Sequence, residues 1–432
     1  MRKVEFCLEN GKVPVGNNLV EAGIAVDGGK IVSVSKKSSL PKAEETVDVK
    51  GSLILPGVVD PHVHFRDPGF TEKEDFYSGS KAAVAGGVTT VCDMPNTSPE
   101  TKDREKFNEK KKLGEDKSLL DFGLHGMLTS NSGNSEELLE RGAVSLKLYP
   151  EKCEESNVSK IRGEGNILTV HPEDPAFLSK IGQDGDVDDF LEARPKKAES
   201  SEIYKILSMV SNFQPHFCHV TNEKSIEIIG DAKRDRTVTC EVTPHHLLLD
   251  DNDFRKQGSH LKIYPPLRPE RDRKKMIQAL RAGLIDMVAT DHAPHTKEEK
   301  EKDIPNASAG IAGIETSLPL LFTLATEGKL SLFRLIEAMC EYPARIFGLR
   351  NENGIQKGVL KPGADADITV LNQNKEWEIK GEKLHGKTKF TPFEGEKVKG
   401  KPELTLVRGK KVYEKGKIVG EKGHGKFIPR RK

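Results

Sequence analysis

Eight short apolar runs, several of them separated by helical stretches, constrain the fold of this chain more than any other feature. The runs are Leu53–His64, Val88–Pro95, Phe122–Leu128, Ser145–Tyr149, Ile167–His171, Pro215–Val220, Thr237–Thr243 and Asp286–Asp291. Segments such as "SEIYKILSMVSNF" and "RDRKKMIQALRAGL" lie between them and carry helical patterning. Eight strand–helix units in succession predict an α/β fold with a parallel sheet, specifically a TIM (β/α)8 barrel.

The two ends of the chain have a different texture. "GIAVDGGKIVSVS" reads as a hairpin turning at Gly28-Gly29, and strand patterning returns only in "ADITVLN" and "LTLVRGKKVYEKGKIVG". The expectation is a small β-sandwich domain built from both termini, residues 1–54 and 349–432, around a barrel over residues 55–348. A length of 432 residues suits that division, since a barrel of this type takes about 250. The polar, aperiodic stretches Glu151–Arg162 and His295–Ala309 follow barrel strands and are candidate active-site loops.

Charge and cysteine usage exclude several classes of function. Sixty-eight basic residues face sixty-seven acidic ones, so no long-range field suited to nucleic acid exists. Lys110-Lys111-Lys112 reads as a solvated helix face, and Pro429-Arg430-Arg431-Lys432 as a frayed tail. The six cysteines form no CxxC pair and no disulfide framework, which fits a reducing cytoplasm. The N-terminus lacks the apolar core of a signal peptide, and no run approaches the roughly 20 apolar residues of a membrane helix.

The chemistry gathers at the ends of the runs. His62 and His64 close the first one, and residues two apart on a strand share a face, so both imidazoles would converge at the barrel mouth. Alone, such a pair is weak evidence. Lys147 in "SLKLY", His171 in "ILTVHPE", His219 in "HFCHVT" and Asp291 in "DMVATDH" fall at equivalent places, however, and barrel enzymes put their catalytic groups there. Leu146 and Leu148 would face the helices, leaving Lys147 in the lumen, where a lone ammonium is costly to desolvate. Reaction with carbon dioxide would turn it into a carbamate, an anionic ligand able to bridge two metals. Arg66 stands one strand step beyond His64, and its planar fork suits a substrate carboxylate; the competing role is a salt bridge to Asp67 or Asp75.

Blander roles fit the other candidates. His245 and His246 read as structural or supporting residues, and His125 and His216 as core or supporting residues. His260, His385 and His424 are expected to be exposed, and alternation should turn Cys218 away from the mouth.

The segments "DPHVHFRDPG", "AAVAGGVTTVCDMPNT", "SLKLY", "TPHHLLL", "ATDHAPHT", "GIAGIETSLPLL", "KGVLKPGADADITV" and "TPFEGEKVKGKPELTLVRGKKVY" together make the chain resemble the dihydroorotases of the amidohydrolase superfamily, over nearly its full length. The resemblance implies two zinc ions. His62, His64 and Asp291 would hold one and His171 and His219 the other, with carboxylated Lys147 and a hydroxide bridging them. It implies the reversible cyclisation of N-carbamoyl-L-aspartate to L-dihydroorotate with loss of water, in pyrimidine biosynthesis. Asp291 would be the catalytic proton carrier. His64, Arg66, Asn96, His295, Ala309 and Gly310 would contact the substrate. Tyr264 departs from the family pattern, which has Asn before "PPLR", and puts one polar contact in doubt. Two rival readings stand: a hydantoinase- or allantoinase-type cyclic amidase, for which Arg66 has no use, and a non-catalytic relative, against which all six ligand positions speak. The substrate is the implied partner; homo-oligomer formation and association with aspartate transcarbamoylase are left open.

Overall fold

Gly57 divides the first apolar run into two strands that belong to different sheets. A Cβ at this position would stand 2.1 Å from the Thr89 hydroxyl, so a side chain is excluded where the two sheets part. Leu53–Pro56 pairs antiparallel with Ile368–Glu378, whereas Val58–Val63 pairs parallel with Val88–Asp93. The expected single strand Leu53–His64 is corrected accordingly. The computed structural model describes residues 3–153 and 155–431.

Both termini build one nine-stranded sheet. The N-terminal part supplies β1 (Val4–Val15), β2 (Asn18–Asp27), β3 (Lys30–Ser35), β4 (Ala43–Asp48) and β5 (Leu53–Pro56). The order runs from β3 through β2, β1 and β5 to three long-range partners and a short edge strand from the C-terminal part, with β4 beside β1. Leu8, Ile24 and Ile31 share a buried cluster with Ile368, Val370, Leu404 and Leu406. Residues far apart in sequence therefore bury one another's apolar faces, and neither terminus completes that cluster alone.

Between the termini lie the parallel strands β6 (Val58–Val63), β7 (Val88–Asp93), β8 (Asp121–Leu124), β9 (Gly126–Met127), β10 (Leu146–Leu148), β11 (Ile167–Val170), β12 (Gln214–Phe217), β13 (Thr239–Val242) and β14 (Met287–Val288). Two ladders result, β6-β7-β8 and β9 through β14 in consecutive order. The third run is interrupted at His125, whose ring reaches Ser145 Oγ at 2.7 Å and the Pro61 carbonyl at 2.9 Å. Beyond β14, His292 forms a parallel bridge with Val63, and its carbonyl accepts from the His64 N–H at 2.8 Å. The segment that follows β14 thus meets the end of β6. Every residue of β6 is buried, as expected when both faces of a parallel strand are covered.

The helical patterns become Lys196–Met209 and Glu270–Arg281, which bury Ile203 and Ile206, and Met276, Ala279 and Leu280. Asp75 and Ser78 form a capping box that starts the helix Phe76–Ala85 directly after the first site loop. The terminal sheet is completed by β15 (Ile368–Glu378), β16 (Lys397–Val407), β17 (Lys410–Glu414) and β18 (Lys417–Ile418). No helix among the described residues is long and apolar enough to cross a membrane.

Two expectations about basic runs fail. Lys110 is fully buried, pairs with Asp93 at 2.6 Å and donates to the Met94 carbonyl, so only its neighbours face solvent. The terminal run is anchored: Ile428 N–H donates to Phe122 O, Arg430 N–H to Gly142 O and Arg431 N–H to Gly348 O. Lys432 lies outside the described residues. In both cases the partner group comes from a distant segment.

Candidate metal centre

His62, His64, Lys147, His171, His219 and Asp291 all line one cavity of about 130 Å³ at the C-terminal ends of the parallel strands, together with Arg66, Asn96, Ala309 and Gly310. His62 Nδ1–H donates to Glu241 Oε1 at 2.5 Å, and His64 Nδ1–H to Asn96 Oδ1 at 2.8 Å. Both rings therefore turn Nε2, at 3.2 and 2.9 Å, toward the same oxygen of Asp291. Three electron-pair donors facing one point repel unless a cation or proton sits among them.

A second pair of imidazoles repeats the arrangement. His171 Nε2–H donates to Glu173 at 2.9 Å, and its Nδ1 faces His219 Nε2 at 3.1 Å. Burial holds His64 down at about 4 and pushes His219 well below its ordinary value, so both favour the neutral state that a metal requires. His62 differs: burial opposes its charge, but Glu241, with lesser help from Cys218 and Asp291, lifts it well above its ordinary value. Burial also opposes charge on Asp291, yet His62 and His64 hold its carboxyl well below the usual range. Imidazole and carboxylate donors in this arrangement fit a divalent metal of the zinc kind.

Lys147 is 1% exposed, and its Nζ lies 2.8 Å from Cys218 Sγ. This corrects the expected outward orientation of Cys218. Alternation fails because β12 ends at Phe217 and His219 takes a left-handed φ of 33°. Arg66 and Asp291 also adopt left-handed backbone, at φ 63° and 47°. Three non-glycine residues of one site thus hold a costly conformation, as is common where function fixes side-chain direction.

Arg66 reaches the cavity by this turn rather than by the strand step expected of it, since β6 ends at Val63. Asp67 pairs with Lys117, and Asp75 caps a helix and pairs with Lys387. Arg66 instead donates from Nε to the Pro294 carbonyl at 3.2 Å and lies 3.1 Å from His295 Nε2. Among the described residues no carboxylate forms an ion pair with this half-buried guanidinium. His295 is not part of the cavity wall; it stands behind Arg66 and also contacts Ala309 O at 3.0 Å. Asn96 orients His64 and lines the wall. Gly310 lines it too, but its N–H is committed to Lys262 O at 2.9 Å.

Tyr264 forms another part of the wall. Phe190 stacks on its ring at 5.7 Å, and the Arg194 guanidinium carbon lies 3.7 Å from the ring centroid. Of the expected loops, His295–Ala309 reaches the cavity through Ala309, whereas no described residue beyond Tyr149 in the stretch to Arg162 lines it.

Sequence reasoning missed the carboxylates behind the histidines. Glu241 binds both His62 and His216, the latter at 3.0 Å, and Glu173 joins His171 to Arg194. A lone carboxylate inside the apolar run "TCEV" was the available signal. Tyr149 was also missed: it is half-buried in the cavity wall, and its buried hydroxyl has no hydrogen-bond partner among the described residues. His245 and His246 are buried as expected, with His246 bonded to Thr243. His260, His385 and His424 are half-buried rather than exposed, because Phe390, Glu315 and the Val407 carbonyl respectively pack against them.

The parallel strands carry a histidine-rich mouth whose imidazole and carboxylate groups are candidate metal ligands. The chain belongs to the amidohydrolase family, which it matches over residues 53–412. Among curated proteins it is 38% identical to a dihydroorotase of Methanothermobacter thermautotrophicus, over 98% of this chain and 97% of that protein. It is 37% identical to a dihydroorotase of Methanosarcina acetivorans, over 90% and 87%. Among solved structures it resembles the L-hydantoinase (dihydropyrimidinase) of Arthrobacter aurescens, with a TM-score of 0.92, 31% identity, and coverage of 99% of this chain and 100% of that one.

Proposed function

We propose that this chain is a dihydroorotase, interconverting N-carbamoyl-L-aspartate and L-dihydroorotate. The observation that carries the reading is Arg66: a half-buried guanidinium at the cavity wall that forms no ion pair with a carboxylate among the described residues. A substrate with a free carboxylate would supply the missing charge. The likeness to dihydroorotases over nearly the whole chain supports the same conclusion.

The parallel strands are read as a closed eight-stranded barrel over residues 55–348, and the terminal sheet as a β-sandwich from residues 1–54 and 349–432. Consecutive strand order and the bridge between Val63 and His292 support closure. His62, His64 and Asp291 would hold one zinc ion, and His171 and His219 a second. Carboxylation of Lys147 would add an anionic ligand able to serve both ions, and would remove an ammonium whose one hydrogen-bond partner among the described residues is the Cys218 thiol. Two such ions supply a water of lowered pKa and a polarised ring carbonyl.

The chain's own residues do the rest. Glu241, Asn96 and Glu173 fix the tautomers of His62, His64 and His171. Arg66 receives the substrate carboxylate. In the hydrolytic direction the water oxygen bonds to the ring carbonyl carbon and the ring C–N bond breaks. The Asp291 carboxylate takes the water proton and delivers it to the departing amide nitrogen. Ring closure reverses each step.

The structural likeness to an L-hydantoinase keeps a second reading, a cyclic amidase for uncharged rings. An assay separates the two. Purified protein is expected to turn over L-dihydroorotate and N-carbamoyl-L-aspartate and to contain zinc; turnover of hydantoin or allantoin alone would sink the proposal.

A further inference from the structure

Lys300 is a lysine with 0% exposure whose hydrogen-bond partners are all backbone carbonyls. Its ammonium donates to Gly310 O at 3.0 Å, Ser308 O at 3.1 Å and Lys262 O at 3.2 Å. Three N–H groups meet three acceptors, which only the charged form of a lysine can supply. No carboxylate pairs with it among the described residues, and burial pushes it down to about 7. Holding a cation there carries a desolvation cost, so the three bonds must hold something that matters.

What they hold is the cavity wall. Ser308 and Gly310 flank Ala309, and both Ala309 and Gly310 line the cavity. Lys262 anchors the same peptide from the opposite side, accepting from the Gly310 N–H at 2.9 Å. Ala309 O contacts His295, which contacts Arg66. Gly310 has φ 150°, and a Cβ there would lie 2.4 Å from Ala293 O, so the peptide is pressed close against the strand end that carries Asp291. Ser259 Oγ donates to Lys300 O at 2.6 Å, fixing the lysine's own backbone.

We propose that Lys300 is a positioning residue for substrate binding: its ammonium clasps the 308–310 backbone to residue 262, setting the Ala309–Gly310 wall and, through His295, the direction of the Arg66 guanidinium. The proposal rests on the reading of Arg66 and this wall as the receivers of a carboxylated substrate. It adds a residue that touches neither substrate nor metal ligands yet governs affinity.

The test is steady-state kinetics in both directions on zinc-loaded full-length K300M, K300Q and K300R, with zinc content and Tm measured alongside. KM for N-carbamoyl-L-aspartate should rise roughly 10- to 100-fold in K300M, the range of one or two lost charged hydrogen bonds. The expected kcat stays within about threefold and zinc content unchanged. K300R should recover part of the affinity, and K300Q, with two donors, should fall between. If K300M yields no folded protein, K300R against K300Q gives the same ordering. Folded variants with wild-type KM, or a loss confined to kcat or zinc, would overturn the role of Lys300. Wild-type protein inactive on both substrates would instead overturn the assignment of function, so the two failures are distinguishable.

Discussion

Among the described residues four groups bring three metal-type ligand atoms within 4.8 Å of one another, and two of them behave in opposite ways. At the mouth these are His62, His64 and Asp291; at the seam between the parallel strands and the terminal sheet they are Asp121, Asp365 and Asp367. The seam already contains its cation. Lys357 is 1% exposed at its side chain and pairs with all three carboxylates, at 2.9 Å to Asp365 and 2.8 Å to Asp367, and Arg408 also pairs with Asp121. At the mouth, two imidazole nitrogens and a carboxylate oxygen converge on one point, and Arg66 has no carboxylate in ion-pair contact among the described residues. Charge balanced within the chain marks structure; charge left unbalanced marks a place for something from outside.

The comparison breaks first at Asp291. Asp291→Asn should lower turnover in both directions by about 10²–10⁴-fold, the usual worth of a positioned acid–base group, with little loss of Tm. Preserved rates would remove it as the proton carrier. Lys357→Met should do the reverse. Leaving three buried carboxylates without their cation should cost about 3–5 kcal/mol of stability in denaturant titration, while kcat/KM of the folded fraction stays near wild type. A large loss of activity without a loss of stability would erase the distinction between the regions.

Smaller effects sharpen it. Glu241→Gln should weaken zinc affinity about 10–100-fold, measured by competition with a chelator, because His62 loses the charged acceptor that sets its tautomer and raises its basicity. Unchanged affinity would reduce Glu241 to a packing role. The smallest effect lies at His385, far from both clusters. The Glu315 carboxylate, by hydrogen bond and charge, raises the His385 pKa against the opposing effect of burial. A raised folded-state value gives stability that is fully present below the unfolded value of about 6.5 and fades as pH rises through the folded one. His385→Gln should flatten that slope by up to about 1 kcal/mol between pH 5 and 9. An unaltered pH dependence of Tm would show the pair to be inert.

Much of the mouth was legible because ligand-type residues terminate apolar runs, a pattern that period-two strands and short loops preserve in one dimension. His62, His64, Lys147, His171, His219 and Asp291 all reach one cavity for that reason. Where the rule stops, the reading failed. Cys218 faces Lys147 because the backbone at His219 leaves the strand conformation. Arg66 enters the cavity on a left-handed turn that alternation does not foresee. The buried Lys110 looked like part of a solvated run, since its partner Asp93 is on another element.

The sequence by itself determined the alternation of strands and helices, the participation of both termini in one β unit, and the identity of the metal-type donors. These follow from local periodicity and from residue chemistry, which do not depend on distant neighbours. Only the tertiary structure decided which charges are satisfied. The same residue type clasps backbone carbonyls in Lys300, pairs with three carboxylates in Lys357 and lies against the Cys218 thiol in Lys147, because a buried charge takes its meaning from partners that the chain brings in from elsewhere.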